Sequence, residues 1–580
     1  MKLYRNVVVF MLVILMALTP TLTVSATVDY DIGSKIEQYV AEHNEKTAGM
    51  SVAVFNDKHT IYRNCFGYSD VQNKIAVAED TVMEWGSVSK LLVWVSAMQL
   101  SEQGKLDLEA DINKYLPKDF LHNRKFDKPV TMLNLMNHNA GFEDSVIGMS
   151  TGKEEKIVSV EEYLSEIQPA QVFEPGTVCA YSNWSTTLAA YIIECVSGVP
   201  YSEYVRKNIF EPLDMNDTAI CADLSDNPSV KERRSNLKIY SPNMHEITPN
   251  MAYIIMYPAG MCTSTISDMQ RFAQALLSED TVLFKKKDTY KTMISPSLYY
   301  GETKNPQNYH GFWSIDSYGT KLMGHGGNTA GCSSNLLLDM ENKTGMVIQT
   351  NQYAEQIYTQ KMPELFYGKY QGNAAGYTGL VMSARTIFKG PLKLEKLLSV
   401  YNNDSSEGMT EYSVRTNQNG IDKISSVYGD LLVIEFKDIA LDVIVIGLYI
   451  LALLYCAVNL VRGLVMAIIN KTKGKDVKKP FSLWCLGASI LQFVPVIIFI
   501  LVIPTLFNFQ QLTISGYRFV FVLVFLVAAA MLALAVYSFI KIRKSELKKS
   551  RKIYIYSMNA CLIISLINII YWNWCMFWMI

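Results

Sequence analysis

Charge is what this 580-residue chain has little of: 18% of its positions are charged, and 53 Lys and Arg against 54 Asp and Glu leave a net charge of −1. Near-neutrality removes the overall electrostatic case for nucleic acid binding, so no nucleic acid partner is expected. Its ten cysteines form no close Cys-x-x-Cys pair, which argues against a zinc ribbon and against a small disulfide scaffold. No metal or cofactor is therefore expected. Internal repeats and low-complexity runs are also lacking, which excludes solenoids and fibrous arrays. With half its positions hydrophobic, the chain is too apolar to be disordered and too long for one domain.

The neutral balance is an average over two unlike parts. Residues 437–580 carry 15 Lys and Arg against 4 Asp and Glu, whereas residues 1–436 carry 38 against 50. An acidic soluble part is joined to a basic, apolar one. Lys2 and Arg5, the apolar run Val7–Leu18 and the small residues Val24, Ser25 and Ala26 have the layout of a secretory signal peptide, 1–26. An uncleaved anchor is the alternative reading of the same run.

Four apolar stretches at 439–461, 482–507, 518–540 and 553–578 are each long enough for a bilayer core of ~30 Å, so 437–580 reads as a four-helix membrane module. Arg462, Lys471, Lys473, Lys475, Lys478 and Lys479 separate the first two, and Lys541, Arg543, Lys544, Lys548, Lys549, Arg551 and Lys552 separate the last two. The positive-inside rule puts both loops in the cytoplasm and the 27–436 part outside, with Tyr571, Trp572, Trp574 and Trp578 as an outer aromatic belt. The expected location is the cell membrane, multi-pass, with the lipid bilayer as one partner.

In the soluble part, Met50–Phe55 and Thr60–Cys65 flank turn residues as a hairpin, and Ser334–Asp339 with Met346–Thr350 forms a second one. Ser87–Gln103 has a helical apolar pattern starting at Ser87. Strands at both ends with helices between them predict an α+β domain over 27–372 whose sheet unites its termini. Residues 373–436, with turn signals and a basic patch at Lys389–Lys396, read as a linker or small β appendage holding the domain above the membrane.

Three segments carry chemistry. Ser87 and Lys90 stand one helical turn apart, which suits a serine nucleophile activated by a desolvated amine, although a helix cap and a solvated charge give the same letters. Tyr181 and Asn183, two apart in an expected extended stretch, offer a phenol for proton transfer and an amide for a substrate carbonyl; a buried Tyr beside a helix cap is the plain alternative. In Gly324–Asn328, glycines around His325 permit close backbone approach, as a substrate-binding strand edge requires.

Taken in order with Glu84–Lys90, Leu135–Phe142, Phe173–Asn183, Tyr257–Asp268 and Gly324–Gly331, these segments resemble the serine β-lactamase and penicillin-binding-protein superfamily. The resemblance runs from about residue 34 to 355 and is to the class C β-lactamase, D-aminopeptidase and esterase branch, with a β-lactamase/transpeptidase-like fold of antiparallel sheet, flanking helices and helical subdomain. It implies Ser87 as the acylated nucleophile, Lys90 as its activating amine and Tyr181 as the proton-transfer partner. Asn183, His325, Gly326, Gly327 and Asn328 would bind substrate, with backbone N–H groups of Ser87 and Asn328 as oxyanion hole. His325 would replace the family's strand lysine, and a neutral imidazole there disfavours efficient β-lactam hydrolysis. Ser225-Asp226-Asn227 and Lys343-Thr344-Gly345 also spell motifs of class A enzymes; the former lies in an acidic loop and the latter at a hairpin tip, and both read as coincidences.

The function implied is a membrane-anchored extracytoplasmic serine hydrolase acting through an acyl-enzyme on an amide or ester of a small-molecule or peptide-like substrate, D-amino-acid-containing ones included. The alternative is a sensor or immunity protein that binds a β-lactam or wall fragment with little turnover. Neither substrate identity nor oligomeric state is written in the motifs.

Overall fold

The computed structural model describes residues 31–145, 148–369, 375–385, 398–401, 412–473, 480–507 and 514–575. The expected signal peptide, the Lys389–Lys396 patch, Lys475, Lys478, Lys479 and Trp578 lie outside the described residues.

Helix α1 (Ile32–His43) leads into strands β1 (Gly49–Asn56), β2 (Thr60–Asp70) and β3 (Ile75–Ala76). Far along the chain follow β4 (Leu298–Tyr299), β5 (Pro306–Tyr309), β6 (Phe312–Ile315), β7 (Leu322–Asn328), β8 (Ser333–Asp339) and β9 (Thr344–Thr350). They form one nine-stranded sheet in the order β3-β2-β1-β9-β8-β7-β6-β5-β4. β1 pairs antiparallel with β9, Val52 opposite Ile348, so the sheet unites the two ends of the domain as the hairpin patterns predict.

The two-residue period of the central strands sorts their side chains into two cores. Ala53, Phe55, Leu336, Leu338 and Val347 face the helical subdomain. Val52, Val54, Leu337, Met346 and Ile348 meet Ile32, Ile36 and Val40 of α1 on the opposite face. Central strands buried on both sides explain their nearly unbroken apolar runs.

With α3 (Asn183–Ser197) and α4 (Ile266–Ala275), which add Leu188 and Phe272 to the first core, helix α2 (Lys90–Glu102) is buried from Lys90 through Leu100, as a helix apolar all round must be. It does not begin at Ser87: Gly86–Ser89 is a 3₁₀ turn, and Gly86 has φ of +52°. A left-handed residue there bends the chain before the α-helix can propagate. The turn is pinned from behind, because Trp85 N–H donates to Cys262 O at 2.7 Å and its indole N–H to Ser264 Oγ at 2.8 Å. Beside it, Glu84 and Arg234 form a fully buried ion pair at 2.7 Å. Arg234→Ala leaves that carboxylate buried and unpaired, and is expected to cost about 3–5 kcal/mol, read as a lowered midpoint of thermal unfolding.

Within 373–436, expected as a linker or small β appendage, the described residues include strands. Strands β10 (Gly379–Ser383), β11 (Leu398–Tyr401), β12 (Val414–Gln418), β13 (Ile421–Ser426) and β14 (Gly429–Val433) form a second sheet ordered β11-β10-β14-β13-β12. Asn419 and Gly420, both at positive φ, make the tight turn between β12 and β13 that an Asn-Gly pair favours. This sheet does not stand off as a spacer. Asp430 N–H donates to Cys179 O, and Lys423 Nζ to Thr177 O, so its β13–β14 hairpin is sewn onto the domain of the nine-stranded sheet.

Four helices, α5 (Phe436–Thr472), α6 (Pro480–Phe507), α7 (Ile514–Arg543) and α8 (Lys549–Tyr571), are long and apolar enough to cross a membrane. α5 runs on past the expected end at 461, because hydropathy marks the apolar core while Arg462 and Lys471 are compatible with further helix. α8 stops at Tyr571 rather than 578: Asn573 takes φ of +56°, and Trp574 turns back against Phe499 at 4.3 Å between ring centroids. Asp442 is buried at the same end, hydrogen-bonded by the Tyr571 hydroxyl.

Candidate active site

A cleft of about 680 Å³ opens between the edge of β7, the helical subdomain and the second sheet. Ser87 lies half-buried at its foot, and Lys90, fully buried, stands one turn further on. Ser87 caps no helix; its hydroxyl faces Lys90 and Tyr181 instead.

Lys90 Nζ has three oxygen neighbours: Ser87 Oγ at 3.0 Å, Asn183 Oδ1 at 2.8 Å and the carbonyl of Ala259 at 2.7 Å. Burial pushes its pKa well down, opposed by Asp144 and assisted by the nearby Arg385 cation. A neutral amine has two N–H donors and one lone pair. The two carbonyl oxygens can only accept, so they take both N–H groups and the lone pair is left for the one partner that can give up a proton, the Ser87 hydroxyl.

Tyr181 precedes helix α3 (Asn183–Ser197), whose N-cap is Ser182. The expected extended triplet is thus split: Tyr181 is outside the helix, and Asn183 is its first residue. Burial raises the Tyr181 pKa, and the hydrogen bond with Ser87 works against that rise. Its ring lies 4.9 Å from Lys90 Nζ. Asn183 spends its amide on protein: Oδ1 accepts from Lys90, and Nδ2 donates to Asp144 at 3.0 Å.

Asp144 was not marked by any motif, yet it organises the site. It is buried and accepts from Asn183 N–H at 2.8 Å, Trp184 N–H at 3.0 Å, the Asn183 amide and Arg385 Nη2 at 2.9 Å. A carboxylate at a helix N-terminus suits the dipole. Behind Tyr181, His138 at φ of +50° stacks on its ring at 4.6 Å and on Trp313 at 5.5 Å. Burial drives the pKa of His138 well down, with Lys90 the next cause, so it is a neutral platform.

The β7 edge approaches the nucleophile more closely than side chains allow. A Cβ on Gly327 would stand 2.0 Å from Trp85 O and 3.0 Å from Ser87 N, and one on Gly86 would stand 2.5 Å from Asn328 N. Glycine at both positions therefore lets the Ser87 and Asn328 amides come side by side, as an oxyanion hole needs. Gly326 lines the cleft next to them. His325 is buried; its Nε2 accepts from Trp313 Nε1 at 3.2 Å, and Nδ1 meets Gly326 O at 2.5 Å, so both ring nitrogens are turned to protein groups. Burial lowers its pKa to about 3, and Lys90 adds to this, so the imidazole is neutral.

The second sheet supplies the remaining wall. The β13–β14 turn carries Tyr428 to the cleft, its ring 5.7 Å from Trp313 and 6.2 Å from His325, and Arg385 follows β10. These residues are distant in sequence from every motif, and nothing in the sequence pattern pointed to either of them. The coincidental motifs lie elsewhere: Asp226 accepts from Ile220 and Cys221 N–H groups, Asn227 caps the following helix, and Lys343 occupies a hairpin turn at φ of +55°. Among the described residues no cluster of three or more His, Cys, Asp or Glu side chains is placed to hold a metal, and the ten cysteines are all free thiols.

A Ser-Lys-Tyr constellation on an antiparallel sheet with a helical subdomain defines the β-lactamase/transpeptidase-like class of serine hydrolase folds. Residues 35–362 match the Beta-lactamase family model, and the chain belongs to that family. Penicillin-binding protein 4* of Bacillus subtilis (strain 168) is 25% identical over 321 residues, covering 52% of this chain and 67% of the relative. A putative penicillin-binding protein, PbpX, of the same organism is 26% identical over 268 residues, covering 46% and 63%. The chain thus spans about two thirds of the length of these curated relatives. Among solved structures, an octameric penicillin-binding protein homologue from Pyrococcus abyssi aligns with a TM-score of 0.49 at 20% identity, covering 69% of this chain and 99% of that one. D-amino acid amidase from Ochrobactrum anthropi SV3 aligns with a TM-score of 0.48 at 24% identity, covering 58% and 96%.

Proposed function

We propose that this protein is a membrane-anchored serine hydrolase, working outside the cytoplasm through an acyl-enzyme on an amide or ester of a peptide-like substrate. The observation that carries the reading is the buried Lys90 amine, whose two carbonyl partners leave its lone pair to Ser87. Ser87 Oγ attacks the substrate carbonyl as its proton passes to Lys90 Nζ, and the developing oxyanion meets the Ser87 and Asn328 N–H groups. Tyr181, hydrogen-bonded to Ser87, hands a proton to the leaving amine or alcohol. The Lys90 ammonium then gives its proton to the Tyr181 phenolate, and water attacks the Ser87 ester, its hydroxyl going to the acyl carbon and its proton to Ser87 Oγ, which frees the acid and restores the serine.

In this reading Asn183 holds the lysine, Asp144 holds Asn183, and the β7 backbone at Gly326–Asn328 lies along the substrate. The absence of a cationic side chain at 325 favours D-amino acyl amides and esters over β-lactams. Sidedness rests on charge: Arg462, Lys471 and Lys473 follow the far end of the first apolar span, and Lys541–Lys552 join the third helix to the fourth. With the helices alternating in direction, these cations fall at the end of the bundle remote from β14, the strand with which the soluble part ends.

The test is turnover. The full chain in detergent is expected to release product from D-amino acyl amides or esters in more than tenfold molar excess over enzyme. One equivalent of stable Ser87 adduct without further product would instead support a binding sensor.

A further inference from the structure

Tyr181 has to present its hydroxyl to Ser87, yet it belongs to no strand or helix of its own. What holds it is His138. The His138 carbonyl accepts from Ala180 N–H at 2.7 Å, and its Nδ1 accepts from Ser182 N–H at 3.2 Å, so the residues on both sides of Tyr181 are tied to one histidine. The imidazole then lies against the Tyr181 ring, with 4.6 Å between centroids and 30° between planes. Three contacts to three consecutive residues leave the phenol little freedom about its backbone.

His138 stands one residue past the C-cap of the short helix Met132–Met136, and its φ of +50° is the left-handed turn common at that position. In that conformation its carbonyl and its ring both meet the 180–182 segment. The ring is also wedged between Trp94 of α2, at 6.1 Å, and Trp313 of β6, at 5.5 Å. Because Nδ1 accepts a backbone N–H, the ring proton sits on Nε2, which is out of solvent and has no hydrogen-bond partner. A phenylalanine would fill the same space without that orphaned N–H, but it would leave Ser182 N–H unpaired. The Ser182 bond also leaves no room for a second proton on Nδ1. The ring is thereby kept uncharged beside a phenol that already has Lys90 Nζ at 4.9 Å and the Arg385 guanidinium at 5.2 Å from its centroid.

We propose that His138 is a positioning residue for Tyr181, fixing the phenol where its hydroxyl can serve the departing group, an inference that rests on the acyl-enzyme reading above. His138 does not line the cleft and touches no reacting atom. Its removal therefore acts on the proton given to the leaving group and not on the Lys90-assisted attack.

The experiment follows Ser87 modification in the full chain in detergent by intact mass. Two phosphonate esters share one phosphonyl group and differ in what departs, p-nitrophenoxide or the more basic phenoxide. The ratio of their rates measures the penalty for a leaving group that needs a proton, and it is unaffected by the fraction of protein folded. In Tyr181→Phe the penalty is expected to rise about tenfold or more. His138→Asn, which tolerates positive φ and offers Ser182 an acceptor but has no ring, is expected to raise it by a comparable factor. The double variant is expected to match Tyr181→Phe alone, since no hydroxyl is left to misplace. Should His138→Asn not unfold cooperatively, His138→Phe, which keeps the ring and gives up the acceptor, carries the same test. An unchanged penalty in the His138 variant, or one that rises again on top of Tyr181→Phe, would overturn the positioning role. A penalty that Tyr181→Phe leaves unchanged would remove Tyr181 as proton donor, and an uncharged fluorophosphonate that fails to modify wild-type Ser87 would sink the acyl-enzyme reading itself.

Discussion

Ser87→Ala is expected to remove all covalent labelling by fluorophosphonate or β-lactam and to lower turnover by roughly a millionfold, the scale on which removing a nucleophile from an interdependent constellation acts. The loss is chemical, not structural. Ser87 is half-buried in a 3₁₀ turn, caps no helix, and gives up hydrogen bonds worth a net of about 1 kcal/mol. The turn itself is held by Trp85, Cys262 and Ser264 and by the Glu84–Arg234 pair, none of which changes. Thermal unfolding within a few degrees of wild type, with no adduct by intact mass, is the expected pair of results. An adduct that persisted in the variant would take Ser87 out of the mechanism.

Lys90→Met is expected to slow acylation by roughly 10²–10⁴-fold, the usual worth of a positioned general base. It also changes the pH dependence in a defined sense. In wild type the acylation rate rises with pH as the ammonium loses its proton, and burial places that limb well below the ordinary lysine range. The methionine variant has no such limb. Stability carries the complementary signature. Between its lowered value in the folded chain and the ordinary lysine value near 10.5 the unfolded chain binds a proton at Lys90 that the folded chain does not, so this residue's contribution to stability rises with pH across that window. The stability difference between wild type and Lys90→Met therefore shifts toward wild type as pH is raised. A pH–rate profile of unchanged shape in the variant would assign the limb to another group.

The substrate-facing residues respond to a different logic. Gly86 and Gly327 are required by backbone approach, and a single Cβ at 327 would collide with Trp85 O before any substrate arrived. Asn183 and Asp144 are required by the lysine: an amide that accepts from Nζ must itself be held, and the carboxylate at the α3 N-terminus does so with two backbone amides already in place. Arg385 then links this chain of contacts to the second sheet, which continues directly into α5. One small sheet thus both walls the cleft and joins the chain to the first of the four long apolar helices.

Sequence alone determined the elements whose information is local. Hydrophobic period two wrote the hairpins that open and close the domain, long apolar runs wrote the four membrane-length helices, and the Ser87–Lys90 spacing wrote a hydroxyl and an amine one turn apart. Tyr181 and the glycines around His325 were legible because ordered motifs reinforce one another. Tertiary structure decided what depends on distant segments meeting in space. It made Asn183 the first residue of a helix and not part of a strand, because Ser182 and Asp144 cap that helix together. It turned His325 inward to Trp313, and it folded the second sheet against the cleft so that Arg385 and Tyr428 reached it. Periodicity and spacing report how a segment meets its own neighbours in the chain; burial of a charge, and the partner 241 residues away that compensates it, exist only once the chain has closed on itself.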